Sequence, residues 1–142
     1  MWRSRLFYLI GCWILLLAVA QGLPLAIAVV SQEAVVASGF FASIVVSSVI
    51  GGSLFLGFRS SAKIKVAKLT LLLPIFGGMS LALAGGLPFF FIFPEQGLIA
   101  AIFEGTSLIT TTGASAYEGA YEEMRALAFW RAFVGWTGGF LA

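Results

Sequence analysis

The sequence predicts an all-α integral membrane protein, and three observations carry that prediction. Of its 142 residues 61% are hydrophobic and only 10% charged, with a mean hydropathy of +1.06, too few charges to give a soluble domain its polar faces. Apolar runs of about 20 residues, the length an α-helix needs to cross the hydrocarbon core, occur three times. Six of the eight basic residues fall in two segments that contain no acid.

The first run goes from about Leu6 to Val30 and is interrupted mainly by Gln21 and Pro24. With Arg3 and Arg5 before it, it has the outline of a secretory leader. An h-region is only about 7–15 residues, however, and further spans follow, so it reads as a first transmembrane helix. The second run goes from about Val35 to Phe58 and the third from about Leu69 to Phe93. Each is near 25 residues, enough to span with some tilt. The separators are Ser31-Gln32-Glu33, then Arg59 to Lys63, then Pro94-Glu95-Gln96-Gly97.

Arg3 and Arg5, and the later group Arg59, Lys63, Lys65 and Lys68, place both segments in the cytoplasm by the positive-inside rule. The first two spans then form a hairpin with Glu33 outside, and the third emerges outside near Glu95. The remaining acids, Glu104, Glu118, Glu122 and Glu123, all follow. The second span carries Gly39, Ser43, Ser47 and Gly51 four residues apart, a small-residue stripe that lets another helix approach closely. It serves packing within the chain or a dimer interface. There is no His and a single Cys. Ser-His-Asp chemistry and the usual zinc sites are excluded, the chain is not read as an enzyme, and Cys12 reads as a small packed or lipid-facing residue.

The fourth run, Leu98 to Ile109, is about 12 residues, a length that suits a re-entrant or interfacial helix. Thr110-Thr111-Thr112-Gly113-Ala114-Ser115 follows, then a polar stretch with Tyr117, Glu118, Tyr121, Glu122 and Glu123. Irregular backbone at membrane depth is tolerated only where it is buried in protein or lines a watery cavity. Branched threonines favour extended backbone and Gly113 permits a turn that aligns carbonyls. Such carbonyls, with threonine hydroxyls, can replace the water shell of a cation, as in potassium-channel filters. The C-terminal end of the short helix adds partial negative charge. The plainer reading is a Thr-rich turn between ordinary elements. Glu104 on the short helix is expected to pair with Arg131, bracing it against the last run; otherwise Arg131 snorkels to the interface beside Trp130. Glu118, Glu122 and Glu123 either form a solvated loop or concentrate cations at the mouth.

The stretch from Phe103 through Glu104, Ser107 and Thr110-Thr111-Thr112-Gly113 to Ser115 resembles the first pore loop of the Trk/Ktr/HKT potassium transporter superfamily, most closely its bacterial TrkH type. A second block matches at the expected distance: Phe129-Trp130-Arg131, then Gly135-Trp136-Thr137-Gly138-Gly139. Together they cover about Leu98 to Ala142. Ile109, Gly135 and Thr137 depart from the family's usual glycine, glutamine and leucine, outside the filter strip. The resemblance implies a division into an N-terminal transmembrane hairpin, 1–62, and the first of four helix–pore loop–helix repeats, 63–142. It implies a filter strip at Thr111, Thr112, Gly113 and Ala114, with potassium, or sodium, as the transported ion at Thr111, Thr112 and Gly113. No covalently bound cofactor is implied. The implied setting is a bacterial inner membrane, multi-pass, with the N-terminus cytoplasmic. The implied partners are the bilayer, the remaining repeats of the same polypeptide, a second copy in a homodimer, and a cytosolic nucleotide-binding regulatory subunit; no nucleic acid is expected. The last run, from about Ala126 to Ala142, is about 17 residues with no basic end, the bare minimum for a span, so the final helix is read as truncated and the chain as an N-terminal fragment. The alternative is a non-transporting multi-span protein that packs or assembles with partners.

Overall fold

The computed structural model describes residues 2–59, 66–117, 119 and 122–141. The boundary drawn at 62/63, and Lys63, Lys65, Glu118 and Tyr121, lie outside the described residues. All regular structure among them is helical: α1 (Trp2–Ala20), α2 (Gly22–Val30), α3 (Ala34–Gly57), α4 (Val66–Ile92), a 3-10 turn at Pro94–Gln96, α5 (Gly97–Ile109) and α6 (Arg125–Leu141). Three stretches are long and apolar enough to cross a membrane: Ser4–Val30, Ala34–Gly57 and Leu69–Ile92.

The first run is thus two helices in one span. Pro24 has no N–H to give the carbonyl four residues back and its ring crowds that carbonyl, so the helix breaks at Gln21. The backbone still passes through, with Gln21 N–H donating to Leu17 O at 3.0 Å and Leu25 N–H to Gln21 O at 3.1 Å. At the far end α2 closes with Gln32 in the left-handed region (φ 59°). Glu33 N–H donates to Ala28 O, and Gln32 N–H to Val29 O, a Schellman ending.

The α3 stripe is buried within this bundle. A Cβ on Gly11 would lie 2.7 Å from Phe55 N and 2.9 Å from Gly51 O: α1 and α3 touch backbone to backbone there. Gly39 meets Ile92 of α4. On α4, Pro88 deprives the Ala84 carbonyl of its usual donor, and Gln21 Nε2 reaches that oxygen at 3.5 Å. The neighbouring Gly85 carbonyl accepts from Trp130 Nε1 at 3.0 Å, which ties α6 to α4. The main core gathers Phe40, Phe89, Tyr117, Leu127, Trp130 and Val134.

Besides the edge-to-face packing of Phe40 on Trp130, a polar contact joins the hairpin to α6. Glu33, in the α2–α3 turn, accepts from Arg125 N–H at 2.9 Å and Ala126 N–H at 3.4 Å. A carboxylate thereby satisfies two unpaired donors at the N-terminus of α6, where the helix dipole favours negative charge.

Candidate functional site

The site is set by how closely α5 lies on α4. A Cβ on Gly105 would run into the Ala82 carbonyl, and one on Gly86 into the Ala101 carbonyl. Ala82/Gly86 and Ala101/Gly105 are both small pairs four residues apart, so two backbones can approach where larger side chains would hold them off. The helices run antiparallel, and the same register carried to the end of α5 brings Ile109 level with Gly78, near the middle of α4. At 13 residues, α5 is about 20 Å long. It descends part of the way along α4 and stops.

The chain then turns back. Ser107 O accepts Thr112 N–H at 2.9 Å, and Leu108 O accepts Thr111 N–H at 3.1 Å; this is again a Schellman ending. Its left-handed position, usually glycine, is held by Thr111 at φ 57°. The strip was expected to be extended from its first threonine. Instead Thr110 and Thr111 complete the helix end, because Ser107 and Leu108 carbonyls at the C-terminus otherwise lack donors. Gly113 follows at φ 77°, where a side chain would be strained.

Residues 110–114 are all exposed. Thr110 Oγ1 donates to Thr106 O at 2.8 Å and lies 2.8 Å from Thr112 Oγ1. With the Thr110 proton committed, Thr112 supplies the proton of that pair. Ser107 Oγ donates to Ala114 O at 2.6 Å, so the Ala114 carbonyl, one of the four expected filter groups, already serves as an acceptor within the chain. Beyond it, Tyr117 packs between Phe89 and Phe93 near the end of α4, with ring centroids 5.3 and 5.1 Å away. Burial, and after it the Glu95 carboxylate, push the Tyr117 phenol above its ordinary range.

Glu104 and Arg131 are brought together as an ion pair. Glu104 is fully buried and the Arg131 side chain is 12% exposed. Ser115, which the sequence did not single out, joins them. Its hydroxyl donates to Glu104 Oε2 at 3.0 Å and accepts from Arg131 Nη1 at 3.0 Å and from Tyr117 N–H at 3.0 Å. Ala116 N–H donates to Glu104 Oε2 at 3.0 Å. The return limb of the strip is therefore tied to α5 and α6 by one charged network. Its only sequence signal is position: Ser115 closes the Thr/Gly block and sits eleven residues after Glu104. On the opposite side Gly138 of α6 lies against Ile109, and Gly139 against Thr111 Cγ2. Glycines thus let α6 seat beneath the turn.

Among the described residues no three His, Cys, Asp or Glu side chains cluster. The oxygen donors exposed here are neutral carbonyls and hydroxyls, a set suited to a weakly hydrated monovalent cation more than to a transition metal. Comparison with known proteins returns nothing: no family model, curated protein or solved structure matches this chain.

Proposed function

We propose that the chain supplies one wall of the ion filter of a monovalent-cation transporter of the Trk/Ktr/HKT type, together with the hairpin that precedes it. The observation that carries this reading is the exposed Thr110–Ala114 strip, reached by a helix that stops midway along α4. Such a strip at membrane depth requires protein or a watery pore on its open side, and further repeats would provide it. In this reading Thr111, Thr112 and Gly113 present oxygens to dehydrated potassium, the C-terminal carbonyls of α5 favour its positive charge, and the Glu104–Ser115–Arg131 network holds the strip in place. The N-terminus and the Arg59–Lys68 segment are cytoplasmic.

The test is potassium uptake by the full-length product in cells lacking their own uptake systems. A Cβ on Gly113 meets nothing within 4 Å, so Gly113→Ala acts through its left-handed φ, a strain of about 1–2 kcal/mol. Uptake or its preference for potassium over sodium should fall in a variant that still reaches the membrane. Wild-type uptake and selectivity in Gly113→Ala would overturn the reading.

A further inference from the structure

One hydroxyl on α5 departs from the habit of its neighbours. Thr106 Oγ1 donates to Ile102 O at 2.7 Å and Thr110 Oγ1 to Thr106 O at 2.8 Å, each to the carbonyl four residues back, a common partner for a hydroxyl on a helix. Ser107 is buried, and its Oγ reaches seven residues forward instead, donating to Ala114 O at 2.6 Å. The carbonyl of the same residue accepts Thr112 N–H at 2.9 Å and Gly113 N–H at 3.4 Å. One serine therefore holds three successive residues of the strip. These bonds decide where the strip's oxygens go. A trans peptide group is planar, with its N–H and C=O on opposite sides, and no cis peptide bond occurs among the described residues. Where the Thr112 and Gly113 N–H groups turn to Ser107, the carbonyls of the same peptide groups, Thr111 O and Thr112 O, turn away from it. Both belong to exposed residues, and neither accepts a hydrogen bond among the described residues. Ala114 O is drawn the other way, onto the serine hydroxyl.

We propose that Ser107 is the positioning residue that sets the strip's cation preference. It aims the Thr111 and Thr112 carbonyls at the ion, withholds that of Ala114, and fits the strip to large, weakly hydrated monovalent cations, potassium and rubidium, over sodium and lithium. The proposal rests on the transport reading above. Carbonyls that replace an ion's water shell must close further in around a smaller ion. Residues 112 to 114 are tied to one buried serine, on a helix that itself lies backbone to backbone on α4. The strip cannot close in without breaking those ties.

The test is rubidium uptake by the full-length product in cells lacking their own uptake systems, with potassium, sodium and lithium as competitors and rates referred to the amount of protein in the membrane. Ser107→Ala removes only the hydroxyl. The carbonyl at position 107 keeps its two N–H donors, and the freed carbonyl belongs to Ala114, an exposed residue, so the fold should persist. Loss of one hydrogen bond should lower the preference for potassium over sodium roughly two- to tenfold. Lithium should gain likewise, and the maximal rubidium rate should hold. Ser107→Thr, which keeps the hydroxyl, should keep the wild-type order of competitors. A merely structural role would lower the amount of protein or the maximal rate for every ion and leave that order unchanged. Such an outcome in Ser107→Ala overturns the proposal, as does an equal shift of order in Ser107→Thr and Ser107→Ala. Wild-type protein that reaches the membrane and takes up neither potassium nor rubidium overturns the transport reading, and this proposal with it. Potassium-selective wild-type uptake, with the order unchanged in Ser107→Ala, overturns this proposal alone.

Discussion

Glu104 is buried without solvent, and its charge is tolerable only because Arg131, Ser115 and the Ala116 N–H surround it. Removing one member of such a pair leaves the other uncompensated, at a cost of about 3–5 kcal/mol. Glu104→Gln should therefore lower the unfolding midpoint in detergent strongly, and a double variant with Arg131→Met should recover part of the loss. Equal midpoints for wild type and Glu104→Gln would show that the pair contributes nothing. Thr111 makes the opposite prediction. A branched residue at φ 57° carries about 1–2 kcal/mol of strain, and such strain concentrates at functional sites. Thr111→Gly should raise the midpoint while lowering potassium uptake. A lower midpoint would mean that the threonine side chain holds the turn in place. Sequence reasoning found Glu104, Arg131 and the strip because charges and Thr/Gly runs are rare in apolar surroundings. It gave no reason to expect Thr111 in a left-handed position, since that conformation is imposed by unpaired carbonyls at the end of α5.

Between elements, the tightest contact is the crossing of α4 and α5, where Gly86 and Gly105 each face the other helix's backbone. Gly105→Leu would force the helices apart and move the foot of the strip with α5. The expected outcome is loss of folded protein or a marked fall in its stability, larger than for Gly78→Leu, since a Cβ at Gly78 meets nothing within 4 Å. Comparable behaviour of the two variants in size-exclusion and thermal unfolding would refute the close crossing. The contact was legible in principle as Ala82/Gly86 and Ala101/Gly105, the same small-residue spacing that marked the α3 stripe. The stripe stood out because it ran for four members without a break. The break at Gln21 was visible only as Pro24 and a polar residue interrupting an apolar run, and a single kinked span keeps the same length and hydropathy as a straight one.

For the whole molecule, the number of long spans was readable because a bilayer imposes one length on every crossing helix, and Ser4–Val30, Ala34–Gly57 and Leu69–Ile92 follow the predicted runs within a few residues. Orientation rests on charge distribution and is open to a direct check. In a Cys12→Ser background, Gln96→Cys should react with a membrane-impermeant maleimide in intact cells, and Arg59→Cys only after lysis. The reverse pattern would invert the topology. The pairing of Glu33 with the start of α6 was beyond sequence reasoning, because nothing local distinguishes its carboxylate from any turn acid. That pairing bears on how the protein is made. Glu33 leaves the ribosome about ninety residues before the α6 amides it satisfies, and domains assemble progressively as synthesis proceeds. The hairpin must therefore wait with its turn unclasped, and the arrival of α6 closes a latch that was set out first.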